Sequence, residues 1–98
     1  MTQEELDKKV GAAAEAMVHE SLKGIEPNAL LKVTALSKCV ATICILSGWD
    51  IDSMVFEIDP WGHLSFRCLG ESRCLSGYNT AYQVKLVMDT FEDAGLFS

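Results

Sequence analysis

Basic residues are scarce in this chain: 8 Lys and Arg stand against 14 Asp and Glu, a net charge of −6 over 98 residues. A field of that sign repels phosphate and anionic lipid. Direct nucleic-acid binding is therefore not expected, and a protein with a basic surface is the partner such a chain would steer toward itself. Proline (2 residues) and aromatics (8%) are also few, yet the 49% apolar content is too high for a disordered acidic tail. No C-x-x-C occurs: Cys39, Cys44, Cys68 and Cys74 are widely and irregularly spaced, so neither zinc nor any other cofactor is expected. The phosphate-cradling patterns G-x-x-x-x-G-K-[ST] and G-x-G-x-x-G are missing as well. The opening Met1-Thr2-Gln3-Glu4-Glu5 is acidic where a leader would be basic, which points to a cytoplasmic protein with reduced thiols. The longest charge-free runs, 39–49 and 74–84, fall short of the ~20 residues of a membrane span, so no membrane partner is expected.

What remains has the size of one domain, residues 1–98, and its patterning gives an α+β architecture in the order α-α-β-β-(β)-α. Thr2 and Glu5 form a capping box, and Leu6, Val10, Ala13, Ala14, Met17 and Val18 recur at helical spacing. A first helix is thus predicted over about 3–22, closed by Gly24, with the small residues of 11–16 as a docking face for the next helix. Pro27 suits the first turn of a second helix running to about Leu46. That helix is apolar almost all round in its second half, the pattern of a central element covered on several sides. Asn79 or Thr80 caps a third helix, ended by Gly95, after which Leu96 and Phe97 fold back as a hydrophobic clasp.

Between the second and third helices, residues 54–58 and 63–69 alternate with period two around Asp59-Pro60-Trp61-Gly62. Pro60 presets φ and Gly62 can take a left-handed position, so the two stretches form a hairpin. Pairing Asp59 with His63 sets Phe56 opposite Phe66, Glu57 opposite Ser65 and Ile58 opposite Leu64. One face is then wholly apolar, and the other carries Val55, Glu57, Asp59, His63, Ser65 and Arg67. Residues 70–77 either remain a loop or add a ragged third strand around Arg73-Cys74-Leu75.

Three groups of residues carry chemistry. On the polar hairpin face, Asp59 beside His63 resembles half of a general-base arrangement, but nothing there supplies a nucleophile or excludes water. Cross-strand charge pairs such as Glu57 with Arg67 are the plainer reading. Trp61 sits at a turn tip, where an indole either folds back or is presented to a partner as an anchor. Asp50, Asp52, Glu57 and Asp59 place four acids and no base within residues 50–59; the spacing lacks the features of a calcium loop, so Asp50 and Asp52 are expected to accept backbone hydrogens in a turn. Cys68 and Cys74 flank a loop beside Arg67 and Arg73, the pair whose reactivity would matter.

These features point to a non-enzymatic interaction module or inhibitor. It would dock through Trp61, Asp50, Asp52, Glu57, Asp59, His63 and Arg67 onto a basic partner surface. Phage-encoded antagonists of nucleic-acid-binding complexes, anti-CRISPR proteins among them, are often chains of this size and sign, an analogy of bulk properties rather than of motif. The alternatives are a small enzyme or redox-sensitive protein using His63 or the thiols of Cys68 and Cys74, and a structural subunit of a homo-oligomer. The enzyme would need a cavity near ~300 Å³, for which so small a core leaves little room.

Overall fold

Thr2 accepts the Glu5 amide through Oγ1 at 3.1 Å and so starts the first helix where the capping box places it. In the computed structural model, which describes residues 2–97, the elements follow in the order α-α-β-β-β-α. They are α1 (Gln3–Met17), α2 (Pro27–Ser47), β1 (Met54–Ile58), β2 (Leu64–Cys68), β3 (Glu71–Cys74) and α3 (Thr80–Asp93). Glu26 caps α2 by accepting the amides of Asn28 and Ala29 at 2.9 and 3.2 Å, and Pro27 occupies the first turn, where no donor is lost. Asn79 caps α3 through the Tyr82 amide at 2.9 Å.

The first helix ends at Met17, not near residue 22, and its continuation shows why. Val18 is extended and bridges Phe56 of β1 in parallel, and the His19 amide donates to the Phe56 carbonyl at 2.9 Å. Ser21 Oγ then accepts the Ile58 amide at 3.0 Å from within a short 3-10 turn, Glu20–Gly24. Tertiary hydrogen bonds to a strand edge outcompete the last turn of an amphipathic helix. Gly24 accordingly does not adopt the left-handed cap conformation assigned to it from sequence. A second consequence concerns the sheet. Its β1 edge is flanked by residues 18–21, which leaves β3 as the unpaired edge.

The hairpin register is the one the turn chemistry implies, with Phe56 opposite Phe66, Glu57 opposite Ser65 and Ile58 opposite Leu64. Residues 71–74 do form the third strand, antiparallel to β2. The apolar face buries Met54, Phe56, Phe66 and Cys68, and Phe66 meets both Phe56 and Phe91 of α3 at ring-centroid distances of 4.8 and 5.5 Å. Each fully buried ring of this kind contributes roughly 1.5–3 kcal/mol. Ala13, Ala14 and Met17 of α1 are buried in the same core, so the small-residue face is spent inside the domain. Gly11 does not take part in that close approach, because a Cβ there would meet nothing within 4 Å.

Val33, Leu36, Val40, Ala41 and Cys44 form the covered face of α2, and Cys44 Sγ lies 3.2 Å from Met54 Sδ of β1. The apolarity of this helix exceeds what the domain covers, since Leu31 and Leu46 on its other side remain 68% and 70% exposed. By length and composition α2 is long and apolar enough to cross a membrane, although no charge-free run in the sequence reaches that length. Here it is packed as part of the globule. At the C-terminal end Gly95 (φ 82°) turns the chain so that the Leu96 amide donates to the Phe91 carbonyl at 3.0 Å. Phe97 then lies edge-on against Trp49 at 5.4 Å, which is the clasp expected for these two residues.

Candidate docking surface

The turn between β1 and β2 is built around one carboxylate. Asp59 Oδ1 accepts the amides of Trp61 at 3.0 Å and His63 at 2.8 Å, while the Gly62 amide donates to the Asp59 carbonyl at 2.9 Å. Gly62 supplies the left-handed φ of 82° that closes the turn, and Pro60 stiffens its entry. The amides of Trp61, Gly62 and His63 are thereby all matched to Asp59, and the indole of Trp61 is left outside, 79% exposed. Hydrogen bonds to an ionised acceptor are the strong kind, so the loop that carries the indole is held in one shape.

Asp59 does not serve His63 in the way a general-base pair would. Its carboxylate binds the main-chain amide of His63, and the imidazole is exposed at the surface. Further along the same face Arg67 Nη2 reaches Glu57 Oε2 at 3.4 Å, the expected diagonal pair. The arginine is half exposed, so this contact orients side chains more than it stabilises the fold. Ser65 is buried between its neighbours in the central strand, its hydroxyl directed at the Glu57 carbonyl, 3.5 Å away.

Asp50 and Asp52 lie elsewhere. Asp50 accepts the Asp52 amide at 3.0 Å and caps a 3-10 turn, Ile51–Ser53, at the start of β1, and the Leu69 amide donates to the Ser53 carbonyl from the far end of β2. From residue 52 to residue 59 an extended chain covers roughly 20 Å. The acids of 50–59 are therefore not gathered into one patch with Trp61; Asp50 and Asp52 mark one end of the hairpin and the indole the other. Among the described residues no group of three or more His, Cys, Asp or Glu side chains is placed to hold a metal ion.

The cysteines also separate. Cys74 is exposed and faces Ser65 across the strands, whereas Cys68 is buried opposite Glu71, so the two are not a vicinal pair. Cys68 instead joins Cys44 and Met54 in a buried sulfur cluster, which sequence spacing did not disclose. Burial pushes the Cys44 thiol up to about 11, with the neighbouring Cys68 adding to the effect. Burial likewise raises Cys68, partly offset by a hydrogen bond with Ser53. Thiols held protonated in this way are poor nucleophiles.

Two further surface features were not read from the sequence. A groove of about 280 Å³ opens between α2, the hairpin and the start of α3, with Gly62 at its rim. Ile25, Val33, Ile58 and Leu64 make its wall apolar, and Lys32, Ser76 and Gln83 are its polar members. Its volume approaches that of a small ligand site, more room than so small a core was expected to leave. The segment that contributes Ser76 and Gln83 to this groove also carries Tyr78 and Tyr82, both exposed, their rings tilted against each other with centroids 4.8 Å apart. Their i, i+4 spacing across a helix cap is the one sequence signal that could have found them. The chain matches no protein-family model, and no curated protein or solved structure is similar to it.

Proposed function

We propose that this protein is a non-enzymatic interaction module or inhibitor that docks through its hairpin tip onto a basic surface of another protein. The observation that carries the proposal is the indole of Trp61, held out into solvent on a turn whose backbone is fixed by the Asp59 carboxylate. A large rigid aromatic presented this way loses little entropy on binding, and tryptophan is among the residues that dominate interface energetics. The apolar groove, which has Gly62 of the turn in its lining, supplies adjoining contact area, and the exposed Tyr78–Tyr82 pair adds to the aromatic-rich composition typical of interface cores. The charge of −6 supplies long-range attraction to a basic partner, such as a surface shaped to hold nucleic-acid phosphates. With Asp50 and Asp52 at the far end of the hairpin, Asp59 is the acid nearest the anchor, and Asp50 and Asp52 act on approach more than on contact.

The test is affinity capture from the native host, followed by titration of the purified partner against wild type and variants at several salt concentrations. Trp61→Ala is expected to weaken binding at least tenfold, which is about 1.4 kcal/mol. Neutralising Asp50 or Asp52 singly should cost less and act mainly on the association rate, and rising salt should weaken the complex. Binding that ignores both salt and Trp61→Ala would remove the proposal.

A further inference from the structure

The outward side of α2 is a second surface, and its residues are arranged symmetrically. At about 100° per residue, Leu31, Ala35, Thr42 and Leu46 fall within about 60° of one another on the helix, with Cys39 beside them. Leu31 and Leu46 are more than two-thirds exposed, and Ala35 and Cys39 are exposed. The stripe is its own mirror about the point between residues 38 and 39: 31 corresponds to 46, 35 to 42, and 38 to 39. A two-fold interface demands this property, because residue i of one copy must meet residue j of the other while j meets i.

Charge adds complementarity at the two ends. The only charged residues in 27–47 are Lys32 and Lys38, and the exposed acids Asp50 and Asp52 follow just beyond the C-terminal end. In an antiparallel pair Lys32 of each copy approaches the acidic end of the other, and the helix dipoles oppose. Lys38 and Cys39 then lie on opposite sides of the seam near its centre, the lysine free to extend its ammonium into water.

We infer that two copies of this chain pair antiparallel through the α2 stripe, with the two-fold axis passing beside Cys39. The seam from Leu31 to Leu46 is about 22 Å long, at the small end for protein contacts, under about 1,200 Å². The dimer is therefore reversible and concentration-dependent. It does not rest on the hairpin reading.

Sedimentation velocity across a hundredfold range of protein concentration tests the pairing. The sedimentation coefficient is expected to rise from the monomer to the dimer value, and Leu46→Glu should weaken association at least tenfold. Both Leu31 and Leu46 are solvent-exposed, so the variants keep the fold, which circular dichroism verifies. The double variant Leu31→Lys/Leu46→Glu places opposite charges across each end of an antiparallel seam and should associate more tightly than either single variant. Diamide provides a second readout: two Cys39 thiols give up two protons and two electrons to it, forming an intermolecular disulfide and the corresponding hydrazine. That cross-link should vanish in Cys39→Ser and persist in Cys74→Ser. A monomer throughout the range, a dimer indifferent to Leu46→Glu, or a double variant no better than the singles would overturn the inference. So would a monomer that co-floats with phosphatidylglycerol vesicles, which would give the stripe to a lipid surface.

Discussion

The two tryptophans occupy opposite environments twelve residues apart. Trp49 follows the C-cap of α2 and is enclosed edge-on by Phe91 at 5.1 Å and Phe97 at 5.4 Å, its amide donating to the Cys44 carbonyl at 3.0 Å. Trp61 has no such enclosure and stands on a turn whose hydrogen bonds are satisfied without it. The same side chain is thus structural in one place and presented in the other, and the backbone around it decides which. Around Trp49 the chain reverses onto a helix and a C-terminal clasp. Around Trp61 it reverses onto itself within four residues, too tightly to leave an interior for an indole.

The largest effect should come from breaking the closed region. Trp49→Ala removes the ring that Phe91 and Phe97 pack on and should cost about 3 kcal/mol, the low end for such truncations because Trp49 is only half-buried; urea unfolding followed by circular dichroism measures it. The closed region should also be the alkali-sensitive one. Cys44 is raised from its usual value near 9 to about 11, so its contribution is complete below about pH 9, where the unfolded thiol is still protonated. It declines as the pH rises toward 11, because the unfolded chain ionises first and gains stability relative to the fold. The decline should amount to about 2–3 kcal/mol, visible as a stability slope between pH 9 and 11 that Cys44→Ala flattens.

Smaller effects sharpen the other side of the comparison. Asp59→Ala leaves two turn amides without their charged acceptor and should cost about 1–2 kcal/mol in thermal or urea unfolding. It should also narrow the difference between the two tryptophans by letting the tip sample other shapes, read as a loss of amide-exchange protection at Trp61 and His63. Smallest of all, Trp61→Ala should shift stability by no more than about 0.5 kcal/mol. A cost near that of Trp49→Ala would mean that Trp61 is packed in solution, and the comparison would collapse.

Local chemistry was the legible part of this chain. Asp59-Pro60-Trp61-Gly62 between two alternating stretches determines a register, because a one-residue slip would bury Glu57 and Arg67 and expose Phe56 and Phe66. The third strand was ambiguous, since Glu71-Ser72-Arg73-Cys74 has no apolar alternation and pairs through its backbone with an already formed β2. The early end of α1 was hidden for a related reason: the partners that stop it, Phe56 and Ile58, lie nearly forty residues away. At the site, the turn that carries Trp61 was legible, but whether the indole folds back or stands out was settled only by the structure, which leaves it 79% exposed. The separation of Asp50 and Asp52 from it was not legible, because proximity in sequence becomes distance once the intervening residues are extended. The open side of α2 was unreadable from a run apolar on every face, which marks no difference between the side that is covered and the side that is not.

The strip of chain at residues 18–21, bonded along β1, limits how this protein can polymerise. A β-sheet lengthens into a fibre only if each molecule can accept a neighbour on both flanks, and here one flank is already taken by the molecule's own chain. Contact through β3 would consume the single available ladder on each side and stop at two molecules. Cutting the bonds of His19 and Ser21 to β1 would reopen the second flank and convert a self-terminating contact into a propagating one.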